Sequence, residues 1–325
     1  MQVFVDDGST NIKLAWKAKG EVKTLLSPNS FKPEWSMRLG VPGTDAVLAE
    51  NYEIDGEKYS FDQLSPDAVR TTETRYQYSD VNVVAIHHAL MQSGIEPQPV
   101  DIVVTLPLGE YLDEHNQPNM VNIERKKANV KRAVNVQGRD SFTVRKVSVL
   151  PESVPAGFDV LKELNELDSL LIVDIGGTTL DISHVRSKMS GFTKTFCDPK
   201  TGVSLITEGV KHAMDTSVST RTSSYVADRM IQARNDSAFL TNYLRNAEQR
   251  NQILQVMQER VKTLTHRVVD SVQRFSGFTH VMVVGGGANI VSEAVKIATG
   301  VSEERFFVSD NPQFDLVLGM MAMKG

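Results

Sequence analysis

The spacing of apolar residues along the chain predicts strands and helices in alternation. Apolar residues at every second position, or in short buried runs, predict strands at residues 3–6, 12–16, 22–27, 101–106, 170–174, 180–185 and 280–284. Apolar residues three and four apart predict helices at residues 79–93, 203–213, 223–233 and 247–274. Strands that alternate with helices of this length are typical of an α/β fold.

The length of the chain and the breaks in this pattern predict two domains. At 325 residues the chain exceeds the size at which one hydrophobic core is usual, and a cleft between domains is a common ligand site. The pattern is interrupted by two prolines and a glycine between Pro151 and Gly157. We expect a first domain at residues 1–157 and a second at 158–309, with a C-terminal helix at about 310–325 that packs back onto the first domain.

Two segments repeat the same order of residues, one in each half of the chain. Residues 5–14 read VDDGSTNIKL and residues 173–182 read VDIGGTTLDI. Each segment contains the end of an apolar strand, an Asp, a glycine turn with a threonine, and the start of a second strand. A repeat at the same place in both halves predicts two similar domains that face each other.

The two repeated turns have the composition of a phosphate clamp. Glycine and small hydroxyl residues let backbone N–H groups approach an anion without an intervening side chain. Either turn alone would be an ordinary Asp-Gly hairpin, so the pair is what favours a polyphosphate site. Asp6 and Asp174 end the two strands, and carboxylates beside phosphates indicate Mg²⁺ held largely through its waters. Lys13, on the strand that leaves the first turn, is placed to reach a phosphate as a point charge.

A third glycine cluster predicts the nucleoside end of the same site. Gly285, Gly286, Gly287 and Ala288 follow a strand and open a helix, so the backbone there can lie flat against a nucleoside. The chain contains no Gly-x-x-x-x-Gly-Lys-Ser/Thr motif and no complete Gly-x-Gly-x-x-Gly motif. The absence of both motifs argues against the P-loop and Rossmann classes.

Composition and charge limit the classes of partner. The net charge of −5 gives no bulk attraction to nucleic acid, and the one basic cluster, at residues 125–132, is interpreted as a solvated helix face. The single cysteine, Cys197, cannot form an internal disulfide. No apolar run approaches the roughly 18 residues needed to span a bilayer, and the N-terminal residues do not read as a signal peptide. We expect a cytoplasmic protein that contacts no membrane and reads no DNA sequence directly.

The sequence resembles the ParM (StbA) family of plasmid segregation proteins over essentially its whole length. The resemblance is carried by VFVDDGSTNIKL, SPNSFKPEW, QYSDVNVVAIHHAL, NQPN followed by NIERKKAN, PESVPAG, DSLLIVDIGGTTLDIS, SGFTHVMVVGGGA and ERFF, and it is weaker at residues 38–51 and 216–252. Several of these segments lie outside the glycine turns, so the resemblance is to this branch of the actin, sugar-kinase and heat-shock-chaperone superfamily. The fold it implies is an actin-like (ribonuclease-H-like) duplicated two-domain α/β fold with a nucleotide cleft between the domains.

The resemblance also implies a role for each candidate residue. The phosphate-binding residues would be Asp6, Asp7, Gly8, Ser9, Thr10, Asn11, Lys13, Gly176, Gly177, Thr178 and Thr179. The nucleoside-binding residues would be Gly202, Asp228, Gly285, Gly286, Gly287 and Ala288. Asp6 and Asp174 would hold Mg²⁺, largely through water. The catalytic residues would be Asp174 and Glu152, with Glu152 orienting or activating the attacking water, although an acid at a helix start also has an ordinary explanation.

The activity implied by this resemblance is ATP hydrolysis coupled to filament assembly. ATP, or GTP as the alternative, would close the cleft and favour assembly, and hydrolysis would destabilise the filament. The implied partners are further copies of the chain in a helical filament and a ParR-type DNA-binding adaptor on a plasmid centromere. Two other functions stay open. One is a small-molecule (sugar-type) kinase with Asp101 or Glu110 as the acceptor base, and the other is a chaperone-type ATPase without its substrate domain.

Overall fold

The computed structural model describes residues 1–37, 50–218 and 221–324. Most of the weakly resembling segment 38–51, and the last residue of the predicted C-terminal helix, lie outside these residues. The strands are β1 (Gln2–Asp7), β2 (Asn11–Ala18), β3 (Glu21–Pro28), β4 (Phe31–Pro33), β5 (Asn51–Ile54), β6 (Glu57–Phe61), β7 (Pro99–Leu106), β8 (Asn135–Val136), β9 (Thr143–Pro151), β10 (Ser169–Ile175), β11 (Leu180–Arg186), β12 (Phe192–Asp198), β13 (His280–Val284) and β14 (Phe306–Phe307).

Helices flank these strands along the whole chain. They are α1 (Asp80–Gln92), α2 (Leu108–Tyr111), α3 (Met120–Val130), α4 (Phe158–Glu163), α5 (Ser204–Val218), α6 (Ser224–Gln232), α7 (Ser237–Tyr243), α8 (Ala247–Val272), α9 (Ala288–Thr299) and α10 (Asp315–Lys324). Short 3₁₀ helices lie at Thr74–Tyr78, Val154–Gly157, Ser187–Met189, Glu303–Arg305 and Pro312–Phe314. Within the described residues, no helix combines the length and the apolar character needed to cross a membrane.

Every strand and helix predicted from the apolar spacing is present. The observed ends lie within two residues of the predicted ones, except that α5 continues to Val218. Helix starts follow from local capping, since the Ser79 hydroxyl accepts a hydrogen bond from the N–H of Asn82 at the start of α1. The spacing did not predict strands such as β4, β8 and β14, because two or three residues are too few for alternation to be visible.

The two large sheets have the same strand order. One runs β3-β2-β1-β7-β9 and the other β12-β11-β10-β13-β14. In each sheet the central strand pairs antiparallel with its hairpin partner on one side and parallel with a later strand on the other, as β1 does with β2 and β7 and β10 does with β11 and β13. Two copies of one mixed sheet confirm the predicted duplicated α/β architecture. A third, smaller sheet, β4-β6-β5-β8, belongs to the first half of the chain.

Three apolar cores hold these layers together. The first lies between the first large sheet and α1, and the second lies between the second large sheet and the helices α5, α6, α8 and α9. The third core joins the two halves, because Phe4 and Ile172 from the two sheets belong to the same cluster as Val317 and Met320 of α10. Helix α10 also contacts β1 and β2. The division into domains at residue 157 stays a prediction.

Candidate functional site

The two repeated hairpin turns meet each other between the two sheets. In the first hairpin Asp6 lies opposite Lys13, and in the second Asp174 lies opposite Asp181. The Ser9 hydroxyl and the Thr178 hydroxyl lie 2.7 Å apart and share a buried hydrogen bond, although 169 residues separate them in sequence. The repeat in the sequence thus becomes two turns that face each other across a cleft.

A cavity of about 370 Å³ lies at this junction, which is within the range of small-molecule sites. The structure places most of the predicted site residues on its wall. They are Asp6, Gly8, Ser9, Thr10, Asn11, Lys13, Glu152, Asp174, Gly176, Gly177, Thr178, Thr179, Asp228, Gly285 and Gly286. Both hairpin turns, the segment that follows β9, α6 and the third glycine cluster therefore converge on one space.

Three predicted nucleoside residues lie behind this wall instead of on it. A Cβ atom on Gly202 would come within 2.6 Å of the Gly177 carbonyl oxygen, so Gly202 lets the chain pack directly against the second hairpin. The Gly287 N–H donates to the Ile175 carbonyl at 2.9 Å, and Ala288 is fully buried at the start of α9. These residues support the turns that line the cavity. None of these three residues lines the cavity itself.

The Asp7 side chain also points away from the cavity. It is fully buried, it forms an ion pair with Lys126 of α3, and it accepts a hydrogen bond from the Asn82 amide at 2.7 Å. A carboxylate already paired in this way is not available to a ligand in the cleft. The solvated-face interpretation of residues 125–132 is wrong for Lys126, which has no exposed surface, because Asp7 compensates its charge inside the first domain.

At the hairpin end, the cavity wall carries the carboxyl residues Asp6, Glu152 and Asp174 and the ammonium residue Lys13, with the buried Asp181 beside Asp174. Lys13 donates to Asp6 at 2.9 Å, and although burial alone would lower the pKa of Lys13, the attraction of Asp6 and of the other acids raises it overall. Burial raises the pKa of Asp174 to about 8, and the neighbouring charges of Asp181 and Asp6 act in the same direction. Burial and the same acids hold the pKa of Glu152 well above its usual range. This excess of buried acid favours a bound cation.

The Glu152 side chain is aimed by a strained turn. Glu152 lines the cavity, and the following residue, Ser153, has a φ of +71°, which is costly for a residue with a Cβ atom. The Ser153 N–H donates to Asp174 at 3.2 Å, and the Ser153 hydroxyl bonds to that of Ser183 at 2.7 Å. Glu152 itself lies two residues before the 3₁₀ helix at Val154–Gly157. The second hairpin therefore fixes the position of the first half's candidate base.

The donor set fits a hydrated magnesium ion and not one coordinated directly by several side chains. Within the described parts of the chain, no three His, Cys, Asp or Glu side chains converge closely enough to hold a metal ion between them. Asp6 and Asp174 instead face the cavity from opposite hairpins, and both have a pKa raised by burial. Mg²⁺ keeps several waters and uses few carboxylates when phosphates supply other ligands.

The opposite end of the cavity is lined by α6 and the third glycine cluster. The Asp228 carboxylate accepts a hydrogen bond from the Thr207 hydroxyl at 2.5 Å, and burial raises the pKa of Asp228 to about 6. Gly285 has a φ of +88°, and a Cβ atom there would lie 2.5 Å from Asp174 Oδ1. Glycine is therefore required at residue 285 for two reasons, its backbone conformation and its closeness to the second hairpin.

Asp181, which lies beside the cavity wall as the strand partner of Asp174, was missed by the sequence analysis, and so were several residues on the wall itself. Asp181 is fully buried, burial raises its pKa, and its carboxylate accepts a hydrogen bond from the Leu108 N–H at 2.9 Å. The repeat contained a signal for it, because Asp181 takes the place that Lys13 has in the first copy. Gln77, Asn289 and Gln313 line the cavity. Gln77 and Gln313 lie in segments without a glycine turn or a repeat, so no local signal marked them, whereas Asn289 is the residue directly after the third glycine cluster.

The contact between the hairpins supports a first prediction, on Gly177. A Cβ atom at this position would overlap the hydroxyls of Thr10 and Ser9, so Gly177→Ala should force the two turns apart. Overpacking of this kind costs about 1–3 kcal/mol, and we expect nucleotide affinity to fall by a corresponding factor of roughly 5–150. Titration with a fluorescent nucleotide measures the effect. Gly176→Ala is the matched comparison, since its Cβ would make only ordinary contacts of 3.5 Å or more, and an equal loss in both variants would contradict the prediction.

Comparisons with solved structures define the class of protein. The chain is similar to the archaeal actin homolog Ta0583 in complex with ADP, at 16% identity over 100% of both chains and a TM-score of 0.70. It is similar to a 15-stranded ParM filament from Clostridium botulinum, at 14% identity over 99% of this chain and 98% of the other and a TM-score of 0.70. AlfA from the B. subtilis plasmid pLS32, also a filament structure, matches at 14% identity, over 100% and 99%, with a TM-score of 0.59. The fold is that of an actin-like protein.

Family models extend this assignment from the fold to the family. Models described as the N-terminal and C-terminal parts of plasmid segregation protein ParM match residues 1–163 and 164–323. The chain therefore belongs to the ParM family of plasmid segregation proteins, and this membership favours plasmid segregation over the small-molecule kinase alternative. Among curated proteins, none is a significant match to the chain.

Proposed function

We propose that this protein is an ATP-dependent, filament-forming ATPase that segregates plasmids. The observation that carries the proposal is the cleft, in which two phosphate-type hairpins from the two halves of a ParM-family chain face each other. ATP is the proposed substrate, with GTP as the alternative. Its binding would draw the two halves together, and its hydrolysis would weaken the contacts that assembly requires.

The proposed arrangement of the nucleotide follows from the chemistry of the cavity wall. The phosphates lie between the hairpins, where the backbone N–H groups of residues 8–11 and 176–179 and the Lys13 ammonium neutralise their charge. Mg²⁺, held through water by Asp6 and Asp174, would supply the remaining positive charge. Glu152 accepts a proton or hydrogen bond from the attacking water. The nucleoside lies toward Asp228, Gly285 and Gly286.

Assembly and partner are proposed on separate grounds. The similar ParM and AlfA structures are of filaments, and contacts between unlike faces of identical subunits produce open helical polymers. A ParR-type adaptor bound to a plasmid centromere would connect the filament to its cargo. An adaptor of this kind is consistent with the net charge of −5, which gives this chain no general attraction to DNA.

The acceptor bases considered for a kinase do not support that alternative. Asp101 is paired with Arg145 at 2.8 Å, and Glu110 accepts hydrogen bonds from Tyr78 and Asn122. Neither acid lines the cavity. A sugar substrate in the cleft would therefore lack both of them as a base.

The proposal is tested by sedimentation and phosphate release with no sugar present. We expect ATP and a non-hydrolysable analogue to drive the protein into a high-speed pellet above a critical concentration, and ADP to do so much less. Phosphate release should accompany assembly with ATP. A protein that stays monomeric with every nucleotide in size-exclusion chromatography would contradict the filament proposal. Assembly without phosphate release would contradict the ATPase proposal alone.

A further inference from the structure

Lys126 is a buried cation whose hydrogen bonds are all directed into the first domain. Its ammonium donates to the Asp7 carboxylate, to Gln77 Oε1 at 2.5 Å and to Asn82 Oδ1 at 3.0 Å, and the Gln77 backbone carbonyl lies at 3.0 Å. An ammonium group has three protons, and these four acceptors use all of them. Lys126 therefore has no donor left for a ligand in the cleft, and its own side chain has no exposed surface.

These contacts determine how the Gln77 side chain is oriented. A lysine ammonium donates hydrogen bonds and cannot accept one, so the Gln77 amide must turn its oxygen, and not its nitrogen, toward Lys126. The amide NH₂ group then points to the opposite side. Gln77 lines the cavity, and within the described residues its NH₂ group has no hydrogen-bond partner and is not sealed from the surface, so it is available to a ligand there. The segment that carries it, the 3₁₀ helix Thr74–Tyr78, is held from behind by Lys126 and by the Asn129 amide at 3.5 Å from the Gln77 carbonyl.

Gln77 lies at the phosphate end of the cavity, next to the first hairpin. The Asn29 amide donates to the hydroxyl of Tyr76, in the same 3₁₀ helix as Gln77, at 2.6 Å, and to the Ser9 carbonyl of the first hairpin at 3.0 Å. Burial lowers the pKa of Lys126, and the charges of Asp7 and Glu152 partly offset that effect, so Glu152 is also near. The nucleoside end, at Asp228 and Gly285, is formed by the second half of the chain.

We propose that Gln77 is a further residue of the hydrolytic site, whose amide NH₂ group donates a hydrogen bond to the terminal phosphate of the bound nucleotide. Lys126 is the positioning residue that keeps the amide in this orientation. A donor held in place before the reaction stabilises the negative charge that the phosphate oxygens carry in the transition state. This inference rests on the proposed ATPase function and adds to it a residue that no glycine turn, repeat or acid cluster marks.

The test compares four variants in phosphate release and nucleotide binding. Gln77→Leu removes the donor, and Gln77→Glu removes it while keeping an oxygen that Lys126 can bind. Both should lower turnover on the order of 10²-fold, the usual effect of losing one such donor, and change the affinity for ADP less than about threefold. Lys126→Met should lower turnover in the same direction. Arg125→Met is its control, because Arg125 packs over the Tyr78 ring of the same 3₁₀ helix and forms no hydrogen bond to Gln77, and its turnover should stay unchanged.

The outcomes separate this inference from the proposed function. Wild-type turnover in both Gln77 variants would overturn the inference and leave the ATPase proposal intact. An unmodified protein that releases no phosphate would contradict the ATPase proposal, and the inference is then decided by binding alone. In that case Gln77→Glu should weaken binding of ADP with tetrafluoroaluminate at least about tenfold relative to ADP, and equal weakening of both would overturn it. If Lys126→Met does not fold, the double variant Asp7→Asn with Lys126→Met is used instead, because it removes both buried charges together. Turnover in the double variant as high as in the unmodified protein would overturn the positioning role of Lys126.

Discussion

Replacing Asp174 with alanine should abolish the nucleotide-dependent behaviour of the protein. Asp174 lines the cavity from the second hairpin, and its carboxylate accepts a hydrogen bond from the N–H of Ser153, the residue that follows Glu152. Losing a carboxylate that holds a metal ion through water costs about 10–100-fold in metal affinity, and the Glu152 turn loses its anchor at the same time. We expect no ATP-dependent sedimentation and no phosphate release above background, measured over a range of Mg²⁺ concentrations.

The fold should survive this change. Burial raises the pKa of Asp174, and the charges of Asp181 and Asp6 act in the same direction, so the folded state gains no stability from this carboxylate and the thermal midpoint without nucleotide should stay within a few degrees. Asp174→Asn keeps the shape and the acceptor for Ser153, and should show the same functional loss if the charge is what matters. Asp101→Ala, which removes a carboxylate paired with Arg145 outside the cavity, should behave like the unmodified protein. Hydrolysis by Asp174→Ala at the unmodified rate would place the site elsewhere.

Replacing Glu152 with alanine should separate nucleotide binding from hydrolysis. A residue that positions the attacking water contributes mainly in the transition state, so its loss lowers turnover by on the order of 10²–10⁴-fold and changes affinity little. Filaments formed with ATP should still assemble, and they should persist long after those of the unmodified protein have disassembled. The measurement is a disassembly time course recorded beside phosphate release.

Two comparisons make this result specific. Glu152→Gln keeps the size of the side chain and should be as slow as alanine, because an amide is a poor base. Glu110→Gln changes an acid that bonds to Tyr78 and Asn122 outside the cavity, and should hydrolyse ATP normally. If Glu152→Ala binds nucleotide normally and releases phosphate as fast as the unmodified protein, Glu152 has no catalytic role and only stabilises the start of the 3₁₀ helix that follows it. In a cell, the slow variant should form abundant polymer and still fail to maintain the plasmid.

The sequence alone predicted the architecture because each of its signals is local or repeated. Alternation and helical spacing depend on neighbours within one element, so β1, β10 and α1 were correctly placed. The repeat at residues 5–14 and 173–182 predicted two similar halves, and the matching strand orders of the two sheets confirm it. The predicted family is likewise confirmed by models that together match residues 1–323.

The tertiary structure decided which side chains face the cleft, since adjacent residues in a strand point to opposite faces. Asp6 and Asp7 are adjacent aspartates that the sequence does not distinguish. In the structure, Asp6 lines the cavity, whereas Asp7 forms a buried ion pair with Lys126. Lys126 itself belongs to a run of basic residues that looked solvated, and only the packing of α3 against β9 and α1, with the ion pair to Asp7, shows that it is buried. Burial, pairing and the direction of a side chain depend on contacts between segments far apart in the chain, and no local pattern contains them.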